Sequence, residues 1–242
     1  MSSILITGVS RGVGRAFALA CAASGRFHKM ILNTGSDAAA LDETARLVSE
    51  AGGPDVLLVR TVGDVSSLAY VEDTRRQFGP VDILVNNAAV SHIGLLTDMA
   101  PEEWNRLMQV NVTSLYNTCH TYVPDMVSAG GGQILNVSSV WGEAGASCEV
   151  AYSASKGAVN AFTRALAKEL APSRIRVNAI SLGITDTRMN SRLTGEEKAE
   201  ICEQIPAGYI VSPEEAAQAM LRLLEMPEYF NGQIVRFDGC WI

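Results

Sequence analysis

Short apolar runs alternate with stretches of helical periodicity along the whole chain. Ser3–Thr7, Lys29–Asn33, Asp55–Arg60, Asp82–Asn86, Gln133–Ser138, Arg174–Ile180 and Gln233–Asp238 are the apolar runs. They lack clean period-two alternation, which predicts strands buried on both faces of a parallel sheet. Helical patterns lie between them, near 12–24, 37–50, 66–78, 101–129, 151–171, 196–204 and 213–226. Strand, helix, strand at this spacing means right-handed βαβ units. The expected fold class is α/β, a single doubly wound domain over residues 1–242 with a seven-stranded parallel sheet and helices on both faces. The least regular stretch, 181–212, is rich in Thr, Ser, Gly and Pro with a short helix inside it. It is the expected place for a substrate lid, an ordinary surface excursion being the alternative.

Composition narrows the function classes. Of 242 residues, 48% are hydrophobic and 19% charged, which excludes disordered, collagen-like and coiled-coil chains. A net charge of −7 without a basic run argues against nucleic acid or an anionic membrane surface as partner. Cys21, Cys119, Cys148, Cys202 and Cys240 form no C-x-x-C pair, and the odd, scattered set reads as reduced thiols in the cytoplasm. His28, His92 and His120 stand at no metal-ligand spacing, so no metal is expected. The longest wholly apolar run, Ala16–Ala23, is far short of a membrane span, and the start MSSILITG has no signal-peptide pattern.

The first strand runs into Gly8-Val9-Ser10-Arg11-Gly12-Val13-Gly14 and then into a helix of small and apolar residues. Glycines in such a turn permit positive φ and let backbone N–H groups approach a pyrophosphate, which then rests on the helix N-terminus. The spacing is G-x-x-x-G-x-G rather than G-x-G-x-x-G, and three glycines can also make nothing more than a tight connection.

Three motifs in order carry a family resemblance. Thr7-Gly8-x-x-x-Gly12-x-Gly14 resembles the cofactor turn of the short-chain dehydrogenase/reductase family. Asn86-Asn87-Ala88-Ala89 resembles its N-N-A-G segment with Ala for Gly, and Tyr152-Ser153-Ala154-Ser155-Lys156 resembles its Y-x-x-x-K signature. The likeness spans nearly the whole chain and implies a Rossmann-type fold. It also implies a cofactor site on Gly8, Ser10, Arg11, Gly12, Val13, Gly14, Asn87 and Ala88, together with Tyr152 and Lys156.

Tyr152 and Lys156, at i and i+4 on a helix, share a face. A neighbouring ammonium favours the phenolate, so Tyr152 is expected to have a lowered pKa and to act as general acid or base on a carbonyl. The plainer alternative is a Tyr and a Lys stem packed on a helix surface. Lys156 would also bond the nicotinamide ribose, as the resemblance implies. Ser138 and Ser139 close the fifth strand, where a hydroxyl can reach a substrate carbonyl. By the family's spacing to Tyr152, Ser139 matches the catalytic serine. Asn111 falls inside an apolar stripe of Trp104, Leu107, Met108, Leu115 and Cys119, and a buried amide must find partners. It bonds a neighbouring strand's backbone or, as the resemblance implies, holds a water that links Lys156 to solvent. The expected catalytic set is Asn111, Ser139, Tyr152 and Lys156.

Asp64-Val65 resembles the family's D-V pair, whose carboxylate meets the adenine amine; an N-cap on the next helix is the alternative. No acid follows the second strand directly (Asn33-Thr34-Gly35-Ser36-Asp37). Arg11 resembles the basic residue that pairs a 2′-phosphate, so NADP is expected ahead of NAD, with Asp37 the residue that could fold back toward the ribose. Ser181-Leu182-Gly183-Ile184-Thr185-Asp186-Thr187-Arg188-Met189 resembles the P-G-x-x-x-T-x-M segment, with Leu182 for the Pro. Gly183, Ile184 and Thr187 would then face the nicotinamide carboxamide, and the local turn is expected to differ. Thr187–Gly208 and Asn231-Gly232-Gln233 look most like 3-oxoacyl-[acyl-carrier-protein] reductases, which implies a small-molecule or acyl-thioester substrate. Against that pattern, 128–133 is uncharged and Tyr209 stands where an Arg often follows P-x-G, leaving Arg174 and Arg176. An alcohol, polyol, sugar or steroid dehydrogenase, with Trp141-Gly142-Glu143 lining the pocket, is the second reading. A non-catalytic dinucleotide sensor is the third. A homotetramer or homodimer through the helices carrying Asn111 and Tyr152 is also implied; Leu115, Ala158, Phe162 and Leu166 are candidates for its apolar surface, an intrachain core being the alternative, and the apolar tail Cys240-Trp241-Ile242 is expected at an interface.

Overall fold

Seven parallel strands, β1 (Ser2–Ile6), β2 (Phe27–Thr34), β3 (Leu57–Val62), β4 (Ile83–Asn86), β5 (Gly132–Ser139), β6 (Ile175–Leu182) and β7 (Ile234–Phe237), lie in the order β3-β2-β1-β4-β5-β6-β7. The helices are α1 (Gly12–Ala23), α2 (Ala38–Gly52), α3 (Leu68–Phe78), α4 (Pro101–Met108), α5 (Ser114–Ala129), α6 (Trp141–Ala144), α7 (Val150–Leu170), α8 (Gly195–Gln204) and α9 (Pro213–Glu225). The computed structural model describes residues 2–53, 56–191 and 193–242. Asp55, the first residue of the third predicted strand, lies outside the described residues.

Successive strand residues feed opposite cores, which is why the runs do not alternate in polarity. Ile4 and Ile6 of β1 pack with Leu32, Leu135 and Val137 under α1, α2 and α9. Leu5 packs with Ile31, Leu84 and Ile134 on the other face, against α3, α5 and α7. The chain steps outward from β1 through β2 to β3, then returns to β4 on the other side of β1. The connections leaving β1 and β4 therefore diverge, and a crevice opens at their carboxyl ends. Among the described residues no helix is long and apolar enough to cross a membrane.

The single helix expected over 101–129 is two. Gln109–Thr113 widen into a π-turn between α4 and α5, and Asn111 sits in it. The Asn111 amide is gripped from outside the helix. Its Oδ1 accepts from the Val90 N–H and its Nδ2 donates to the Val90 carbonyl, each at 2.8 Å. Those bonds offset the poorer geometry of a widened turn. Strand β6 runs on to Leu182, which pairs with Ser139 and Phe237 and is buried. Residues 181 and 182 thus belong to the sheet rather than to the irregular stretch, because Leu keeps the N–H and the φ freedom that Pro would remove. The short α6 went unpredicted, since one turn shows no periodicity.

Candidate active site

The turn after β1 is shaped by two close approaches. Gly8 has φ +72°, and a Cβ there would lie 2.7 Å from Ala88 Cα. A Cβ on Gly14 would lie 2.3 Å from the Gly8 carbonyl oxygen. The ends of β1 and β4 are also stapled together. Asn87 Nδ2 donates to the carbonyls of Thr7 and Gly8 at 2.9 and 3.0 Å, and Thr7 Oγ1 accepts from the N–H of Asn87 and Ala88. Thr7 was not singled out by the sequence reading; its hydroxyl directly before the first glycine is the signal that was there.

Helix α1 begins without a side-chain cap and without an acid in its first turn. Asp37, Ser67, Thr194 and Ser212 supply such caps to α2, α3, α8 and α9. The N–H groups that begin α1 are thus left to the crevice, and with the helix dipole they form an anion site. This donor set, in a turn that excludes side chains, fits a dinucleotide pyrophosphate. Thr187 closes on the same turn, its Cγ2 standing 3.3 Å from where a Gly12 Cβ would be. The Val13 side chain is half-buried and packs against the core.

At the outer end of the crevice, Arg11 is ion-paired with Asp37, whose other oxygen caps α2 by accepting from the Ala40 N–H at 3.0 Å. Ser67, not Asp64, caps α3. Asp64 instead accepts from the Ser66 N–H at 2.9 Å and from Arg106 at 2.5 Å.

Ser138 and Ser139 separate cleanly. Ser138 Oγ is buried and donates to Asn160 Oδ1 at 2.7 Å. Ser139 Oγ accepts from the Trp141 N–H at 3.2 Å and stands near enough to the Tyr152 phenol to favour its ionised form. Lys156 is buried, with Nζ 5.5 Å from the Tyr152 ring centroid and donating to the Val137 carbonyl at 2.8 Å. Among the described residues Asn111 is joined to this group through Ser155, whose Oγ accepts from its Nδ2 at 3.0 Å.

The expected downward shift of Tyr152 is overturned. Burial, helped by the charge of Glu149, pushes its phenol up to about 12, and the hydrogen bond from Ser139 only partly opposes this. Glu149, three residues before Tyr152 on the same helix start, is a neighbour the sequence reading passed over. Burial also pulls the Lys156 ammonium from 10.5 down to about 8. Tyr152 is therefore a proton-bearing acid at neutral pH, set beside a lysine that is still mostly charged there.

The Lys156 shift has a stability consequence with a definite sign. Below about pH 8 the folded chain buries an ammonium that the unfolded chain keeps in water. Between about 8 and 10.5 the unfolded chain binds the proton that the folded chain has lost, so this group's contribution rises with pH. Lys156→Met removes it. The stability difference between that variant and the parent is expected to move in the parent's favour by up to roughly 3 kcal/mol over that interval. Urea unfolding of both proteins across the range checks this, and a pH-independent difference contradicts it.

Several peripheral expectations change. Leu115 is buried and offers little surface to an interface; among the described residues Tyr116, Val127 and Val150 are the exposed large apolar side chains on α5 and α7. Trp141 packs against Trp241, ring centroids 4.9 Å apart, and Asp238 accepts from the Cys240 and Ile242 N–H groups. The tail is thus hooked onto its own chain. Arg176 donates to the carbonyls ending α9, and Arg174 and Arg176 stand at the amino end of β6. That is roughly 20 Å along the strand from the Ser139 level, so within one protomer they do not rim the crevice.

The sequence model described as short chain dehydrogenase matches residues 2–198. The uncharacterized oxidoreductase YmfI of Bacillus subtilis (strain 168) is 40% identical over 239 residues, covering 98% of this chain and 97% of that protein. The 3-oxoacyl-[acyl-carrier-protein] reductase FabG of Chlamydia trachomatis is 34% identical over 239 residues, covering 97% of this chain and 95% of that protein. Among solved structures, a candidate 2-deoxy-d-gluconate 3-dehydrogenase from Agrobacterium tumefaciens with bound NADP superposes with a TM-score of 0.88 at 28% identity, covering 99% of this chain and 95% of that one.

Proposed function

The chain belongs to the short chain dehydrogenase family and is an NAD(P)-dependent oxidoreductase, and from that premise we propose that it reduces the carbonyl of a 3-oxoacyl thioester to a secondary alcohol. The observation that carries the chemistry is the meeting of Ser139, Tyr152 and Lys156 at the carboxyl end of β5. A bound nicotinamide supplies the hydride. Ser139 donates to the substrate carbonyl oxygen and orients it, and Tyr152 donates its proton to that oxygen as charge develops. Lys156 bonds the cofactor ribose and keeps the site's positive charge. Asn111 holds Val90 and Ser155 in place, and its Oδ1 keeps one lone pair for a water in the relay to Lys156. Gly183, Ile184 and Thr187 receive the carboxamide end, and 181–212 closes over the substrate. The seat is the cytoplasm, in keeping with scattered free thiols.

The thioester reading is supported by relatives named 3-oxoacyl-[acyl-carrier-protein] reductase along almost the whole chain. The sugar-acid name of the structural neighbour favours a second reading, an alcohol or sugar dehydrogenase using the same residues. A dinucleotide sensor without turnover ranks last, because Tyr152 and Lys156 are both in place. Absorbance at 340 nm with NADPH and an acetoacetyl thioester tests the first reading. Turnover with sugars or alcohols but not the thioester would replace it with the second. Assembly into a homodimer or homotetramer uses the outer faces of α5 and α7, and a monomer in sedimentation at micromolar concentration contradicts that.

NADP is proposed ahead of NAD because Arg11 offers a guanidinium fork at the end of the crevice, with Asp37 as its brake. Asp37→Asn keeps an oxygen for the α2 cap but removes the charge that occupies Arg11 and repels a phosphate. The Kd ratio of NADH to NADPH is expected to rise roughly tenfold. An unchanged ratio in fluorescence titration contradicts the role given to the pair.

A further inference from the structure

Beneath the turn that follows β3, apart from Ser139 and Tyr152, the interior holds a cavity of about 10 Å³ lined by residues that include Leu5, Asn33, Thr61, Val65, Thr118 and Tyr122. That is the lower limit of space for one water molecule. Three of the lining side chains are more than nine-tenths buried and carry a polar atom without a protein partner among the described residues. These atoms are Asn33 Oδ1, Thr61 Oγ1 and the Tyr122 hydroxyl. Buried polar groups are seldom left so, and here all three belong to side chains that line one cavity.

The donor and acceptor balance identifies it. Asn33 Nδ2 donates to the Gly63 carbonyl at 3.1 Å and to the Tyr70 hydroxyl at 2.9 Å. A carbonyl can only accept, so the amide nitrogen must face Gly63, leaving the amide oxygen unbonded. Burial pushes the Tyr122 phenol up, so it keeps its proton and donates. The Thr61 hydroxyl can do either. Thr118 is already engaged, donating to Asn86 Oδ1 at 2.7 Å. No charged side chain lines the cavity, which removes any recognition of an ion.

We propose that the cavity is a specific site for one water molecule, which donates to Asn33 Oδ1 and Thr61 Oγ1 and accepts from the Tyr122 hydroxyl. The water links side chains of β2, β3 and α5, joining α5 to the two paired strands through atoms that have no protein partner among the described residues. Val65 also lines the cavity, so the water braces the wall assigned to the adenosine half of the cofactor. That consequence rests on the proposed function; the site itself does not.

A crystal structure of the whole chain, at a resolution that shows ordered water, is expected to hold one peak within hydrogen-bonding distance of all three atoms. No peak, or direct bonds among Asn33, Thr61 and Tyr122, would overturn the proposal. Tyr122→Phe and Thr61→Val give an independent reading from the sign of the thermal shift. Removing a hydroxyl that faces nothing relieves the fold and raises Tm, whereas removing one that holds a water lowers it, here by about 2–4 °C each. The double variant is expected to lose less than the sum, since both hydroxyls hold the same molecule. A rise in Tm, or strict additivity, would overturn the shared water even if activity were unchanged.

Discussion

Tyr152→Phe is expected to lower carbonyl reduction by about 10²- to 10⁴-fold, the usual contribution of a positioned general acid. Phe keeps the ring that packs near Lys156 Nζ and removes only the phenolic hydroxyl. Cofactor affinity, measured by fluorescence titration, should therefore stay within about threefold, a change of well under 1 kcal/mol. The high pKa of Tyr152 matters to this expectation. A phenol held near 12 is fully protonated at neutral pH, so nearly every molecule carries the proton to be given. A variant with more than about a tenth of parental kcat would show that the proton comes from elsewhere.

The second large effect is expected at the glycine turn. Gly14→Ala puts a methyl group 2.3 Å from the Gly8 carbonyl oxygen and 2.5 Å from Asn87 Nδ2, and backbone cannot rotate away as a side-chain tip would. Either the turn opens or α1 shifts, and both disturb the uncapped N–H groups assigned to the pyrophosphate. Overpacking of this kind costs about 3 kcal/mol at the upper end, which corresponds to about 100-fold in Kd if the strain is expressed in the crevice. If it is expressed in the fold, Tm falls by roughly 5–10 °C. Gly195→Ala is the control, since nothing lies within 4 Å of its Cβ position. Unchanged cofactor affinity and Tm in Gly14→Ala would remove the turn from the site.

Much of this arrangement was legible in the sequence, for identifiable reasons. Seven apolar runs fixed the strands because each strand serves two cores and so cannot alternate. The glycine turn, Asn87 and the Tyr152–Lys156 pair were readable because their spacing is local. What was not readable depends on residues meeting across space. The π-turn at Asn111 leaves Leu107 and Leu115 buried on either side, so the apolar stripe does not betray it. The direction of the Tyr152 shift depends on burial, and neighbouring residues in sequence pointed the other way. The Arg11–Asp37 pair joins the turn after β1 to the start of α2, and Asn33, Thr61 and Tyr122 come from three separate elements. Leu182 shows the opposite case, where a departure from the family's pattern was visible and its result, a longer β6, was not.

The central claim is that this crevice brings a nicotinamide and a carbonyl together for direct hydride transfer, with Tyr152 supplying the proton. The most direct test is turnover of an acetoacetyl thioester with NADPH carrying deuterium at both C4 positions, followed by mass analysis of the product. A 3-hydroxyacyl product carrying one deuterium on its carbinol carbon is expected from the parent protein and not from Tyr152→Phe. Alcohol formed without the label, or neither consumption of NADPH or NADH with any carbonyl compound nor its formation from NADP or NAD with any alcohol or sugar tried, would contradict it.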